Sequence, residues 1–279
     1  MRLLRKWLSL SAIALFPVVP GWAQQDTGKK DSSSSAQPLT AEEMKQAVTI
    51  DAITVPTPGE FFKAIDKGGK PNWASQFRPP TQIGGTSRAQ MALNLGTLIA
   101  DGYIAVEAQD GQQVKNIGRD VLTLAKKLSV SESVLARGKS ISQFAESGAW
   151  DQLNEELEAT QNEVKKALED NRDTDLITLV SVGGWIRGTQ VVTGLLVQAY
   201  SPEVAKLLRQ PNLVDYLRAK LDQLPQRIRQ DKLVVQVNSE LQTMAKLVSF
   251  SADHVPSAEE VKALNTAAAK LTKEISTGQ

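Results

Sequence analysis

Cysteine is absent from this 279-residue chain. That excludes disulfides, thiol catalysis, Cys-ligated zinc and a lipid anchor on cysteine. Histidine is almost as scarce: His254 stands alone, in Asp253-His254-Val255-Pro256. One imidazole gives Ser–His nucleophile systems and His-rich metal sites little to work with. An excess of one charge is lacking too. Against 31 Asp and Glu stand 32 Lys and Arg, a net charge of +1. Nucleic-acid binding needs a basic excess or stripe, so no nucleic-acid partner is expected. No cofactor, metal site or catalytic residue is identified.

What is present begins with the first 23 residues. Arg2, Arg5 and Lys6 precede an apolar run from Trp7 to Val19, which Pro20 and Gly21 break. Gly21-Trp22-Ala23 puts small residues at the two positions a signal peptidase reads. The run is about 13 residues, short of the roughly 20 that span a bilayer. A secretory leader over 1–23 is expected, with mature protein starting at Gln24. Losing its three positive charges leaves the remainder two units negative. About 256 residues are enough for a sizeable core without disulfides.

Residues 24–39 are polar, with four consecutive serines, and read as a disordered tether. Residues 40–82 form an N-terminal helix and a strap. Thr40/Glu43 and Thr57/Glu60 have capping-box spacing, and Pro58 suits a first helical position. The strap mixes Pro71, Pro79 and Pro80 with Phe61, Phe62, Trp73 and Phe77. The prolines oppose regular structure while the aromatics require burial. Residues 83–279 read as a helical bundle domain. Helices are predicted over 86–109, 111–128, 131–147, 150–170, 174–200, 202–209, 212–222, 233–250 and 257–275. Ser257/Glu260 is a third capping box. The short connections favour antiparallel neighbours. The fold class expected is therefore all-α: a compact multi-helix bundle around two buried Gly-rich helices, with an irregular Pro/aromatic N-terminal strap.

Those two helices are 86–109 and 174–200. The second is apolar or small on every face, as a central helix should be. Gly96 and Gly102 lie in the first; Gly183, Gly184, Gly188 and Gly194 lie in the second. Each interior glycine costs about 0.5–1 kcal/mol relative to alanine. Close backbone approach explains them best, with Gly96 or Gly102 meeting Gly184 and Gly188 where the helices cross. Room for a ligand is the other reading.

Arg187 is the one charge inside 174–200. A buried guanidinium requires a carboxylate, and Asp101 and Glu107 on the first helix are the candidates. The functional alternative is an anion-binding arginine at the floor of a cleft, with Trp185 beside it. The strap aromatics Trp73, Phe77, Phe61 and Phe62, with Arg78, read as buried anchors of an irregular segment, or as a lid or sugar platform if exposed. The ligand-binding candidates are then Arg187, Asp101, Glu107, Trp185, Trp73 and Arg78. Asp101 and Glu107 are six residues apart, about 240° around a helix, which argues against a shared acid–base site.

The function expected is an exported non-catalytic protein, a binding or structural component of the periplasm or cell envelope, periplasmic or secreted. A protein partner in the envelope fits this reading, and no integral span is expected after leader cleavage. One alternative is an envelope-polymer-acting enzyme using carboxylates and arginine. Another inserts 174–200 into a membrane, against which Arg187 counts.

Overall fold

The computed structural model describes residues 70–79, 87–251 and 253–278, together with Gly59, Phe62 and Ile65. The expected leader, the tether and the helix opening at Thr40 lie outside the described residues. Gly59, Phe62 and Ile65 are helical, within the stretch expected to open at Thr57. Phe62 and Ile65 are buried. The described residues are helical and contain no strand.

α1 (Arg88–Glu107) opens on Ser87, whose side chain accepts from the Gln90 N–H. α2 (Gly111–Lys127) opens on Asp110, which accepts from the Gln112 and Gln113 N–H groups, and its last turn carries Lys126 and Lys127. Both ends suit the helix dipole. α3 (Ser131–Ser147) stops at Gly148, in the left-handed region at φ 69°. α4 (Trp150–Asp170) buries Leu153, Val164 and Leu168, and its Glu156 and Glu163 pair with Arg137 of α3. α5 (Thr174–Gln198) is buried along most of its length.

The second half is more broken. One helix was expected over 202–209. Instead α6 (Pro202–Ala205) tightens into a 3-10 turn, Lys206–Leu208. Pro211 follows closely, and a proline disfavours helical geometry in the residue before it. α7 (Pro211–Asp222) takes that proline at its first position. An unexpected short α8 (Gln226–Arg229) fills the connection after Pro225. α9 (Lys232–Val248) starts in the Val-rich run, with Asp231 as cap. α10 (Ala258–Thr277) has the complete Ser257/Glu260 capping box and ends at Gly278, φ 72°.

α1 and α5 form the central pair, and α10 lies along α5. α2 packs on α1, α3 packs on α2 and α4, and α9 joins α7 to α10. Packing of amphipathic faces on this pair supplies most helical stability. The crossing of α1 and α5 explains two glycines. A Cβ built on Gly96 would fall onto the Val180 carbonyl oxygen and lie 2.7 Å from the Gly184 nitrogen. A Cβ on Gly183 would fall onto the Leu93 carbonyl oxygen. Gly102 corrects the expectation for this crossing. Its Cβ would point at Ile117 of α2 and Leu157 of α4, 3.9 Å from each. Six residues from Gly96 carry it about 240° around the helix, away from α5. Gly188 is buried in α5, one turn beyond Gly184.

Among the described residues no helix is long and apolar enough to cross a membrane. α5 turns its apolar surface to α1 and α10 instead.

Candidate functional site

Arg187 is among the largest fully buried side chains, at 1% exposure. Its Nε donates to Asp101 Oδ1 at 2.8 Å. Its Nη1 donates to Gln190 Oε1 at 2.9 Å, one turn further along α5. Its Nη2 donates to the Gln76 carbonyl. That carbonyl comes from the strap, where Trp73–Gln76 form a 3-10 turn capped by Asn72. The strap therefore contains a regular turn between its prolines.

Arg78 approaches the same carboxylate from the other side. Its Nε donates to Asp101 Oδ2 at 3.0 Å, and its Nη2 also bonds that oxygen. Nη1 donates to Ser276 Oγ of α10 at 2.8 Å, and Nη2 reaches Thr97 Oγ1 of α1 at 3.3 Å. One carboxylate between two guanidiniums ties the strap, α1, α5 and α10 together. Charge-assisted hydrogen bonds of this kind are the strong ones.

The electrostatics follow from burial. Burial pushes the Arg187 guanidinium below its usual range; Asp101 opposes this and the Arg78 cation adds to it. Arginine nevertheless stays protonated in proteins. Asp120 on α2 is raised above its ordinary value by burial, with repulsion from Asp101 adding to this and Arg119 opposing.

The structure thus brings Arg187, Asp101 and Arg78 together and leaves Glu107 out of their bonds. The choice between the two carboxylates resolves to Asp101. Trp73 sits in the same strap turn as Gln76 and is buried at 4% exposure, its ring 5.1 Å from that of Phe62. It is a core anchor here, not an open lid. Trp185 is nearly buried and donates from Nε1 toward Gln210 Oε1 at 3.4 Å, in the turn before α7. Sequence reading missed Gln76, Gln190, Thr97 and Ser276. Gln190, three residues from Arg187, lies within helical reach of it. A main-chain carbonyl such as that of Gln76 has no sequence signal.

Arg187 Nε, Nη1 and Nη2 all donate to protein acceptors, with almost no exposure, so the guanidinium does not face an open cleft. Among the described residues no group of three His, Cys, Asp or Glu side chains comes together as a metal site. His254 instead bonds Glu260 at the start of α10, 2.9 Å from Oε2, and stacks on Phe250. Comparison with protein-family models, with curated proteins and with solved structures finds no match for this chain.

Proposed function

We infer that the protein is an exported, non-catalytic helical component of the periplasm or cell envelope, acting by binding or as a structural part. One observation carries the non-catalytic part. The charge cluster that sequence reading offers as a ligand or acid–base site is occupied by internal bonds: Arg187 to Asp101, Gln190 and the Gln76 carbonyl, and Arg78 to Asp101, Thr97 and Ser276. Groups held this way stiffen a core and leave little for a substrate. The basic, apolar and small-residue order of residues 1–23 supports export.

The test is expression of the full chain in a bacterium, followed by fractionation and N-terminal sequencing. Mature protein outside the cytoplasm, beginning at Gln24, is the expected result. Retention in the cytoplasm with residues 1–23 intact would overturn the reading.

A further inference from the structure

α7 and α9 pack on each other, and the faces that border their contact leave a groove. Arg218, Leu221 and Asp222 stand at three- and four-residue steps on α7; Val235, Asn238, Ser239 and Gln242 repeat that spacing on α9. Residues so spaced share one face of a helix. Asn238 Nδ2 donates to Asp222 Oδ1 at 2.8 Å and joins the two walls. α8 adds a second guanidinium, Arg229. The groove holds about 350 Å³, within the roughly 300–1,000 Å³ that small-molecule sites occupy. It opens to solvent: Asp222, Arg229, Ser239 and Gln242 are exposed, and Val235 is 55% exposed.

The two cations here differ from Arg78 and Arg187, which internal bonds hold. No hydrogen bond fixes the Arg218 guanidinium among the described residues. Its nearest charge is Asp215 Oδ1, 3.8 Å from Nη1, on a largely exposed carboxylate. An exposed pair of that kind contributes little. Arg218 Nε is buried without an acceptor, and Asn238 Oδ1 on the facing wall is buried without a donor. Native structures leave few such atoms unmatched, and two in one groove call for an explanation. Arg229 has no ion pair among the described residues. Asp222 is the one acid among the lining residues and is already engaged by Asn238. Two cations against one anion leave the groove with an excess positive charge. Leu221, Val234 and Val235 supply a short apolar surface beside it.

We propose that the groove between α7 and α9 binds a small hydrophilic carboxylic acid with a single net negative charge. Its carboxylate lies on Arg218 and Arg229, and its hydroxyl or amino groups meet Asp222, Asn238 and Gln242. The planar guanidinium fork matches a carboxylate, which a bare ammonium does not. Ligand entry turns the Arg218 side chain so that Nε meets the carboxylate; side-chain rotations of this kind are common on binding. The proposal deepens the binding role inferred above and rests on it, but it does not depend on export.

The test is isothermal titration calorimetry on the purified full chain with L-glutamate, gluconate and inorganic phosphate as probes. Saturable binding of glutamate or gluconate is expected, weakening as salt rises. Arg218→Gln and Arg229→Gln should each weaken it roughly tenfold or more, through loss of a charge-assisted contact. Arg229 is exposed, so its replacement does not threaten the fold. Val235→Phe fills the groove from an exposed position without changing charge and should weaken binding as well. Arg227→Gln is the control. Arg227 is exposed, sits 3.7 Å from Asp175 and does not line the groove, so this change should leave binding unaltered. Failure of both organic acids to bind overturns the proposal. Binding of phosphate alone also overturns it, because bare charge then suffices. So does binding that survives Arg229→Gln and Val235→Phe, since the acid then sits elsewhere. Cytoplasmic retention with intact binding would remove the compartment and keep the site; export without binding would do the reverse.

Discussion

Arg78 and Arg187 hold opposite oxygens of the Asp101 carboxylate. The two cations come from the strap and from the centre of the bundle, and the single anion between them keeps them together. Removing the anion is therefore worse than removing either cation. Asp101→Asn should cost about 3–5 kcal/mol, because it leaves two guanidiniums facing each other without a counter-charge. Arg187→Met leaves Asp101 paired with Arg78 and should cost less. Thermal and denaturant melts of the two variants check the order. The reverse ranking would mean that Asp101 does not hold the pair.

Gly96 of α1 and Gly118 of α2 should respond with opposite signs. Gly96→Ala pushes a methyl group onto the Val180 carbonyl and should destabilise by about 1–3 kcal/mol or more. Gly118→Ala adds a methyl group in open space and should stabilise by about 0.5–1 kcal/mol. Chemical denaturation of both variants reads the two signs directly.

Legibility in the sequence divides along the same line. Helix positions were readable because caps and prolines act locally: Asp110, Ser257 and Pro211 each do in the structure what their types suggest. The Arg187–carboxylate pairing was readable because an isolated charge in an apolar helix has few partners. Its geometry was not. Gln76 contributes a main-chain carbonyl, and Arg78 reaches Asp101 and Ser276 across the fold. No local pattern encodes such contacts. Of the two α1 glycines offered for the crossing, Gly96 occupies it and Gly102 does not, a choice that the six-residue step between them, about 240° of helix, already makes possible.

Asp120 offers a pH-dependent test. Its folded pKa lies above the ordinary 3.8, through burial and then the Asp101 charge, against the opposing Arg119. The native state therefore holds this proton more tightly than the unfolded chain. Stability from this group falls as pH rises from 3.8 through the folded value. At neutral pH the wild-type carries the penalty and Asp120→Asn does not. The variant should melt higher at pH 7, and the difference should vanish well below pH 3.8. Equal melting temperatures at both pH values would mean that the carboxylate is not strained.

Three helix–helix corners place a residue other than glycine in the left-handed region: Gln109, Ser129 and Arg172, at φ 54°, 64° and 59°. Left-handed geometry costs an L-residue about 1–2 kcal/mol, and glycine returns part of that as chain entropy. Arg172 is exposed, so Arg172→Gly should stabilise by up to about 1 kcal/mol. Arg172→Val should destabilise, since a β-branched residue tolerates this region worst. Differential scanning calorimetry of the pair checks the sign.

The bond from Arg78 to Ser276 joins the beginning of the described chain to its last helix. A trimmed protein starting at Ser87 would keep every long helix among the described residues. It would lose the Gln76 carbonyl and the Arg78 cation, leaving one guanidinium nitrogen of Arg187 without its acceptor. The helical portion is thus not a self-sufficient module that can be excised, permuted or fused at will. Loss of the strap that carries Gln76 and Arg78, or of the last turn of α10 that carries Ser276, would be felt at the centre of the molecule, so both are a condition of the core.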